Sequence, residues 1–226
     1  MRPHAYLTFH GIGAPHRGVE GAELAYWIDA GFYRAILDLV KDRRDVSITF
    51  DDGNRSDVDI ALPELRARGL SAEFFVCAGR LASDEYLSPE DIRTLLREGM
   101  SVGSHGWSHV RWRGLSKTEQ AREWPEAIRA LSAHTTAPVT TAACPFGEYD
   151  RTVIAGLRGA GVRRIYTSDC AWTHEAATFV PRFTVTREHR VDDIRAMLER
   201  PRLLGRLRDS TRILAKQLRP PVRPDR

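Results

Sequence analysis

Short apolar runs alternate along the chain with longer segments in which apolar residues recur every three or four positions. The short runs are typical of buried strands and the longer segments of amphipathic helices. Seven runs predict strands: residues 5–9, 46–50, 73–76, 100–103, 140–143, 164–167 and 179–185. Strands that alternate with helices over short connections favour a parallel sheet, and about seven such units favour an α/β fold that closes into a distorted (β/α) barrel.

Capping residues indicate where several of the helices begin. Asp29 precedes an amphipathic segment that reaches residue 40, and Ser88 precedes a Pro-Glu-Asp sequence typical of a first helical turn. Ser116 begins a Ser-Lys-Thr-Glu capping box. A further helix, after residue 57, contains Pro63, which should kink it.

The composition indicates a globular chain of one main domain. The 226 residues are 42% hydrophobic and 28% charged, and no apolar run approaches the roughly 18 residues needed to cross a membrane. The first residues lack the apolar core and the cleavage pattern of a signal peptide. We therefore exclude an integral membrane protein and expect a cytoplasmic location.

Charge is distributed unevenly along the chain. From residue 200 onward there are nine Lys or Arg against two Asp or Glu, whereas the first 199 residues carry 25 basic and 28 acidic side chains. This asymmetry predicts a domain over residues 1–200 and a basic helix and tail over residues 201–226. Because the body is slightly acidic, we do not expect a nucleic-acid partner.

The basic tail also carries a helical stripe of leucines, Leu203, Leu207, Leu214 and Leu218. Two interpretations stay open for this stripe. It packs on the barrel, as most amphipathic helices do, or it binds an anionic membrane surface with help from the neighbouring cations.

Two acidic residues and two histidines directly follow predicted strands. Asp51 and Asp52 come after the second strand, and His105 and His109 come after the fourth. In a parallel barrel the carboxyl ends of the strands share one mouth, so these side chains should meet there. Two imidazoles and one carboxylate form a catalytic type of zinc site with an open coordination position. Adjacent residues at a strand end point in different directions, so one aspartate should bind metal while the other moves a proton.

Each motif alone has a simpler interpretation. Asp51-Asp52-Gly53 is also a common turn sequence, and two histidines four residues apart are frequent on protein surfaces. Their joint occurrence, in order and after predicted strands, favours the metal site.

In the full contexts Thr-Phe-Asp-Asp-Gly and Ser-His-Gly-Trp-Ser-His, the chain resembles the polysaccharide deacetylases of the NodB-homology type, carbohydrate esterase family 4. The resemblance spans roughly residues 6–187. It implies a distorted (β/α) barrel, Asp51 as general base, and Asp52, His105 and His109 as metal ligands. The ligand types favour zinc, with cobalt or nickel as substitutes.

The third motif of the family departs from its usual form, because residues 143–150 read Ala-Cys-Pro-Phe-Gly-Glu-Tyr-Asp without the arginine that ordinarily orients the base. The branch that resembles the poly-N-acetylglucosamine deacetylases also lacks it. Arg182 is a candidate substitute, which we group with the residues that contact substrate. By resemblance, the backbone N–H of Phe146 would stabilise the oxyanion, and Pro145 either shapes this substrate contact or simply forms a turn.

The Leu-x-His motif that supplies the family's general acid is absent, since residues 196–200 read Ala-Met-Leu-Glu-Arg. In the branch just named a histidine after the first strand takes that role, and His10 lies there. The alternative is a loop histidine that makes a backbone hydrogen bond. Trp172 either stacks on a sugar or packs in the core. Five other histidines lack a comparable context, and we expect them on the surface: His4, His16, His134, His174 and His189.

The sequence therefore predicts a metal-dependent hydrolase that removes an N-acyl group, such as acetyl, from an amino sugar in a polysaccharide, oligosaccharide or glycoconjugate. Asp51 would deprotonate the attacking water, and His10 would protonate the departing nitrogen. Two alternatives are an esterase for O-acetylated sugars and a non-catalytic carbohydrate-binding protein on the same barrel. The missing arginine and the missing Leu-x-His motif favour the binding protein, whereas the retained set of metal ligands argues against it.

Overall fold

The computed structural model describes residues 2–81, 83–199 and 203–222. Its largest feature is a sheet of short strands whose carboxyl ends face one side. The strands are β1 (Pro3–Phe9), β2 (Gly11–Ile12), β3 (Trp27–Ile28), β4 (Val46–Phe50), β5 (Ala72–Val76), β6 (Ser101–Ser104), β7 (Thr141–Ala143), β8 (Arg164–Thr167), β9 (Thr173–His174), β10 (Phe179–Pro181) and β11 (Phe183–Thr184).

The main sheet is a nearly closed barrel. Its eight parallel strands follow the order β10-β8-β7-β6-β5-β4-β1-β11, and β9 adds an antiparallel pair to β1. The two end strands, β10 and β11, are separated in sequence by Arg182 alone. The predicted α/β barrel is thus confirmed. The seventh predicted strand, however, is two strands, because its first half pairs with β8 and its second half with β1.

Helices cover the outside of the sheet. They are α1 (Ala30–Val40), α2 (Leu62–Ala67), α3 (Pro89–Arg97), α4 (Lys117–Ala121), α5 (Ala127–Ser132), α6 (Arg151–Gly159), α7 (Val191–Met197) and α8 (Leu203–Gln217). Asp29 caps α1 by accepting bonds from the next turn, α3 begins after Ser88 and Ser116 forms a capping box, as predicted. Ser88 also forms a capping box, with Asp91. A π-helical turn over Asp57–Ala61 runs directly into α2, and Pro63 is the second residue of α2. A proline removes one helical backbone bond, which favours such a turn, and the kink expected at Pro63 stays a prediction.

A row of phenylalanines supports the barrel beneath its mouth. Phe9, Phe50 and Phe74 are partners in the parallel register of β1, β4 and β5, and their rings lie 5.5 and 4.6 Å apart. All three are buried. Each contributes about 1.5–3 kcal/mol through removal of its side chain from water. This row fixes the strand end from which Asp51 follows, and the Asp51 N–H donates to the Phe9 carbonyl.

Two cations of the C-terminal helix α8 contact the barrel. Arg212 donates to the Asp169 carbonyl, and Lys216 pairs with the buried Asp169 carboxylate. The side chains of Leu214 and Leu218 are 53% and 60% exposed. Leu214 nevertheless lines a groove together with Trp172 and Phe179, so packing of the leucine stripe on the barrel stays a prediction.

The other half of the stripe, the side chains of Leu203 and Leu207, lies outside the described residues. Of the helices in the described ranges, none has both the length and the apolar character needed to cross a bilayer.

Candidate active site

The strand ends bring three metal-binding side chains together at the mouth of the barrel. Asp52 follows β4, and His105 follows β6, with His109 four residues further on. Asp52 Oδ1 lies 3.1 Å from His109 Nε2 and 3.6 Å from His105 Nε2. One donor atom from each residue lies within 4.8 Å of the other two. The three side chains predicted to bind metal therefore lie close enough together to share one ion.

The cluster fits a divalent cation by the chemistry of its donors. Asp52 Oδ1 is buried without a hydrogen-bond partner among the described residues. His105 Nδ1 contacts the Ala143 carbonyl at 3.0 Å, which fixes the ring and leaves Nε2 free to coordinate. Two imidazole nitrogens and one carboxylate oxygen match the ligands of catalytic zinc sites.

The backbone of this cluster is unusual at both ends. Asp52 and His109 have φ angles of 76° and 55°, in the left-handed region that costs a residue with a Cβ about 1–2 kcal/mol. Gly53 also has a positive φ, and a Cβ there would lie 3.0 Å from the Val76 side chain. The fold therefore maintains a strained turn where the ligands lie, as functional sites often do.

Burial and mutual charge set the protonation of the ligands. Burial lowers the pKa of His105 to about 4, with a smaller contribution from His109, and burial likewise lowers the pKa of His109. Burial raises the pKa of Asp52, but the charges of His109, His10 and His105 outweigh it and lower the pKa overall. At neutral pH the cluster thus consists of neutral imidazoles and a carboxylate, which are the forms that bind metal.

The second aspartate, Asp51, is held by an arginine. Arg182 donates to both carboxylate oxygens of Asp51 at 2.7 Å, in a bidentate pair from which solvent is almost fully excluded. Burial raises the pKa of Asp51, but the charges of Arg182, His105 and His10 and the hydrogen bonds from Arg182 together outweigh burial and hold the pKa well below its usual range. Asp51 is therefore ionised, and its Oδ2 lies 4.0 Å from His105 Nε2.

Arg182 does not contact the substrate pocket, which corrects its grouping with the substrate-binding residues. Its side chain is fully buried, and the guanidinium also donates to the Thr8 and Thr49 hydroxyls and to the Thr167 carbonyl. It contacts the base instead. The position follows from the break between β10 and β11, since Arg182 is the residue at which the chain changes partner strands.

His10 lines the same pocket as both aspartates and both histidines, in a cavity of about 280 Å³. It follows β1, and its ring packs on Tyr26 with centroids 4.9 Å apart. His10 Nδ1 has no hydrogen-bond partner within the described part of the chain. The alternative interpretation requires a hydrogen bond from His10 to the backbone, and Nδ1 does not make one with any described residue.

The remaining predicted site residues are divided between the pocket and the core. Phe146 lines the pocket with a half-exposed ring, 4.7 Å from the His109 ring, and its φ of 57° is again left-handed. Pro145 is buried and begins the short 3-10 turn that presents Phe146. Trp172 is not brought to this pocket, because its indole N–H donates to the Met197 carbonyl on the side where α8 lies.

Sequence reasoning missed most of the pocket wall. Two of the histidines expected on the surface are elsewhere: His4 is buried and contacts the Ser47 hydroxyl at 2.8 Å, and His16 lines the pocket. Other wall residues carry no motif, and their positions depend on loop geometry that periodicity does not reveal. They are Glu23, Tyr26, Trp27, Arg80, Tyr86 and Arg111.

Comparison with known proteins identifies the family. A family model described as polysaccharide deacetylase matches residues 38–165, which is more than half of the chain and includes Asp51, Asp52, His105 and His109. The chain belongs to the polysaccharide deacetylase family. Peptidoglycan-N-acetylglucosamine deacetylase PgdA of Listeria monocytogenes serotype 1/2a (strain 10403S) is 31% identical over 114 residues, which cover 50% of this chain and 24% of PgdA.

Solved structures of deacetylases share the fold. The Streptococcus pyogenes deacetylase PplD, in complex with acetate, has a TM-score of 0.77 at 17% identity, over 88% of this chain and 99% of PplD. IcaB from Ammonifex degensii has a TM-score of 0.70 at 21% identity, over 85% and 95% of the two chains. This polysaccharide deacetylase domain spans less than two thirds of the length of the curated relatives it matches.

Proposed function

We propose that this chain is a metal-dependent hydrolase that removes the acetyl group from the nitrogen of an amino sugar in a polysaccharide, oligosaccharide or glycoconjugate. The observation that carries the proposal is one cavity lined by a three-residue metal cluster, an ionised second aspartate and a histidine. Membership of the polysaccharide deacetylase family supports the reaction class, and the name of the relative PgdA supports an N-acetylated substrate.

The residues divide the chemistry of amide hydrolysis. Asp52, His105 and His109 would hold a divalent cation, zinc by preference, which polarises the acyl oxygen and lowers the pKa of water when it is bound. Asp51 accepts the proton of the attacking water, and Arg182 fixes the direction of its carboxylate. His10 donates a proton to the departing nitrogen, a role that imidazole groups often take in catalysis.

The position of Arg182 bears on the non-catalytic alternative. One reason for that alternative is the missing arginine of the third motif. A different arginine, from another part of the chain, contacts Asp51 in this structure. His10 at the pocket supports a replacement for the missing histidine as well. Both gaps in the motif pattern thus have a candidate substitute, which favours an enzyme.

A screen of N-acetylated amino sugars for released acetate tests the function. The full chain, loaded with Zn²⁺ or Co²⁺, should deacetylate N-acetylglucosamine oligomers or a related glycan. An O-acetylated sugar of the same chain length, assayed in parallel, separates amide from ester hydrolysis. Acetate release from the ester alone would replace the proposal by a sugar O-acetylesterase, and no release from either by a metal-loaded chain would favour a binding protein.

Besides its sugar substrate, we propose that the chain binds an anionic membrane surface through α8 and the basic tail. The exposed Leu214 and Leu218 lie beside cationic residues in a segment where basic side chains far outnumber acidic ones. The full chain should sediment with phosphatidylserine vesicles. The fraction of protein that sediments should fall when both leucines are replaced by serine. Equal sedimentation of the two proteins would reject the membrane contact.

A further inference from the structure

Glu123 is a buried carboxylate that no metal or catalytic motif includes. It is 3% exposed, and no Lys, Arg or His within the described ranges forms an ion pair with it. Its partners are N–H groups instead. Glu123 Oε2 accepts from the Trp107 backbone N–H at 2.9 Å, and Oε1 accepts from the Ser108 backbone N–H at 3.0 Å. The Trp112 indole N–H lies 3.4 Å from Oε2.

These two backbone groups belong to the loop between His105 and His109. Other polar groups of that loop are also paired: the Gly106 and Trp107 carbonyls accept from the N–H groups of Ala78 and Gly79. Without the carboxylate, the N–H groups of residues 107 and 108 would lose their partners in a half-buried loop. A charge-assisted hydrogen bond is about twice as strong as a neutral one, so each bond to the Glu123 carboxylate should hold the loop more firmly than a bond between two backbone groups.

The loop conformation needs such a contact. His109 has a left-handed φ of 55°, and a strained residue of this kind persists only where its surroundings hold it. Glu123 itself lies in a π-helical turn, Arg122–Glu126, which contains Pro125. A proline removes a backbone bond and favours such a bulge, and π-bulges are frequent at functional sites. The bulge places Glu123 toward the loop while Glu126, three residues later, stays exposed.

We propose that Glu123 is a positioning residue for the metal centre: by holding the amides of Trp107 and Ser108, it fixes the relative placement of the His105 and His109 rings. This inference rests on the proposed function, because it assumes that the two rings coordinate a metal. Partners that orient metal ligands typically change metal affinity by about 10–100-fold when they are removed.

Metal affinity measures this role directly and independently of any substrate. The dissociation constant for Co²⁺, from an absorption titration of the full chain, should rise by about 10–100-fold in Glu123→Gln. Glutamine retains the size of glutamate but offers one acceptor oxygen, so one of the two amides loses its partner. The matched control is Glu126→Gln, an exposed residue of the same π-helical turn, whose dissociation constant should equal that of the wild type.

A second variant separates positioning from general packing. Trp112→Phe removes the third donor and part of a buried ring, but leaves both loop amides bound to Glu123. It should lower the melting temperature of the metal-free chain yet leave the Co²⁺ dissociation constant within about twofold, well below the 10–100-fold change. If Trp112→Phe weakened Co²⁺ binding as much as Glu123→Gln, Glu123 would be only a packing residue and the inference would be overturned.

The wild-type protein provides a measurement that does not depend on folding of a variant. The amides of Trp107 and Ser108 should be protected from hydrogen exchange, although they lie outside regular structure. Exchange at the rate of an open loop would overturn the inference. A wild-type chain that fails to bind Co²⁺ would overturn the metal centre and this inference with it, whereas Co²⁺ binding unchanged by Glu123→Gln would overturn only the role of Glu123.

Discussion

Asp51 and Asp52 are adjacent in sequence but differ in their surroundings and in their proposed roles. Asp52 lies with the histidines, whereas Asp51 lies against Arg182, because Asp51 directly follows β4 and the chain turns at Asp52. The strained φ of Asp52 sharpens the divergence. The Asp-Asp pattern thus predicts two functions from one dipeptide, and only the surroundings of each carboxylate assign them.

Substitutions at Asp51 and His105 should separate turnover from metal binding. Asp51→Asn keeps an acceptor for Arg182 but cannot take up a proton, so acetate release should fall by about 10²–10⁴-fold with Co²⁺ bound as before. His105→Ala removes a metal ligand, so this variant should lose both acetate release and Co²⁺ binding. Acetate assays and Co²⁺ absorption spectra on the same samples check this. Near-normal turnover of Asp51→Asn would exclude it as the base.

The buried pair of Asp51 and Arg182 makes a stability prediction. Arg182→Met leaves an unpaired carboxylate in the interior, so urea denaturation should show a loss of about 3–5 kcal/mol in the free energy of unfolding. Arg163→Met, an exposed arginine before β8, is the matched control and should change stability little. In the double variant with Asp51→Asn, the combined loss should be clearly smaller than the sum of the two single losses. Additive losses would mean that the pair does not interact.

The contact of Arg182 with Asp51 shows where sequence patterns stop being informative. The family resemblance indicates that an arginine is missing, and Arg182 is a candidate for its place, but nothing in the sequence shows that its side chain reaches Asp51. Its place depends on a strand break. Residues 179–185 have the apolar pattern of one strand, and periodicity carries no sign that the chain changes partners in its middle. Arg182 and Asp51 are 131 residues apart in sequence, so only the tertiary structure brings their side chains together.

At the scale of elements, strand ends were predictable and loops were not. Most strand bounds agree within a residue or two, because buried parallel strands are short, apolar and β-branched. The carboxyl-end rule then placed both motifs at one mouth. Much of the pocket wall comes instead from the segments between β2 and β3 and after β5, in which residues such as His16 and Arg80 carry no periodic signal.

The loop between His105 and His109 makes a prediction about Gly106. Its φ is +82°, and a Cβ there would lie 2.5 Å from Glu123 Oε2. Gly106→Ala therefore incurs both backbone strain and a clash with the carboxylate that holds the loop. Gly99→Ala is the matched control, since Gly99 has a φ of +78° with no atom within 4 Å of the added Cβ.

Thermal denaturation and Co²⁺ titration distinguish the two glycine variants. Gly99→Ala should lower the free energy of unfolding only by the strain of a left-handed alanine, about 1–2 kcal/mol. Its Co²⁺ dissociation constant should equal that of the wild type. Gly106→Ala should lose more stability and also bind Co²⁺ more weakly. Equal effects of the two substitutions would show that the clash is relieved without moving the ligands.

At the scale of the whole molecule, the division into a domain over residues 1–200 and a separate tail stays a prediction, but α8 contacts the barrel at a buried site. Asp169 follows β8, and its carboxylate also accepts from the Tyr149 and Thr167 hydroxyls at 2.6 and 2.7 Å. Thr167 in turn accepts from Arg182 through its carbonyl. The last helix is thus linked to the support of Asp51 by a chain of polar contacts, which the distribution of charge along the sequence does not reveal.

Lys216 should therefore stabilise the molecule more than a surface lysine does. Hydrogen bonds to charged groups contribute about 1.5–3 kcal/mol, and Lys216→Met removes one from a carboxylate with a fully buried side chain. Urea denaturation should show a loss of that size, and limited proteolysis should release α8 sooner than in the wild type. Lys117→Met, on the exposed start of α4, should change neither result. If the two variants unfolded alike, the contact with Asp169 would add nothing to stability, and α8 would behave as the independent tail that the charge pattern alone suggests.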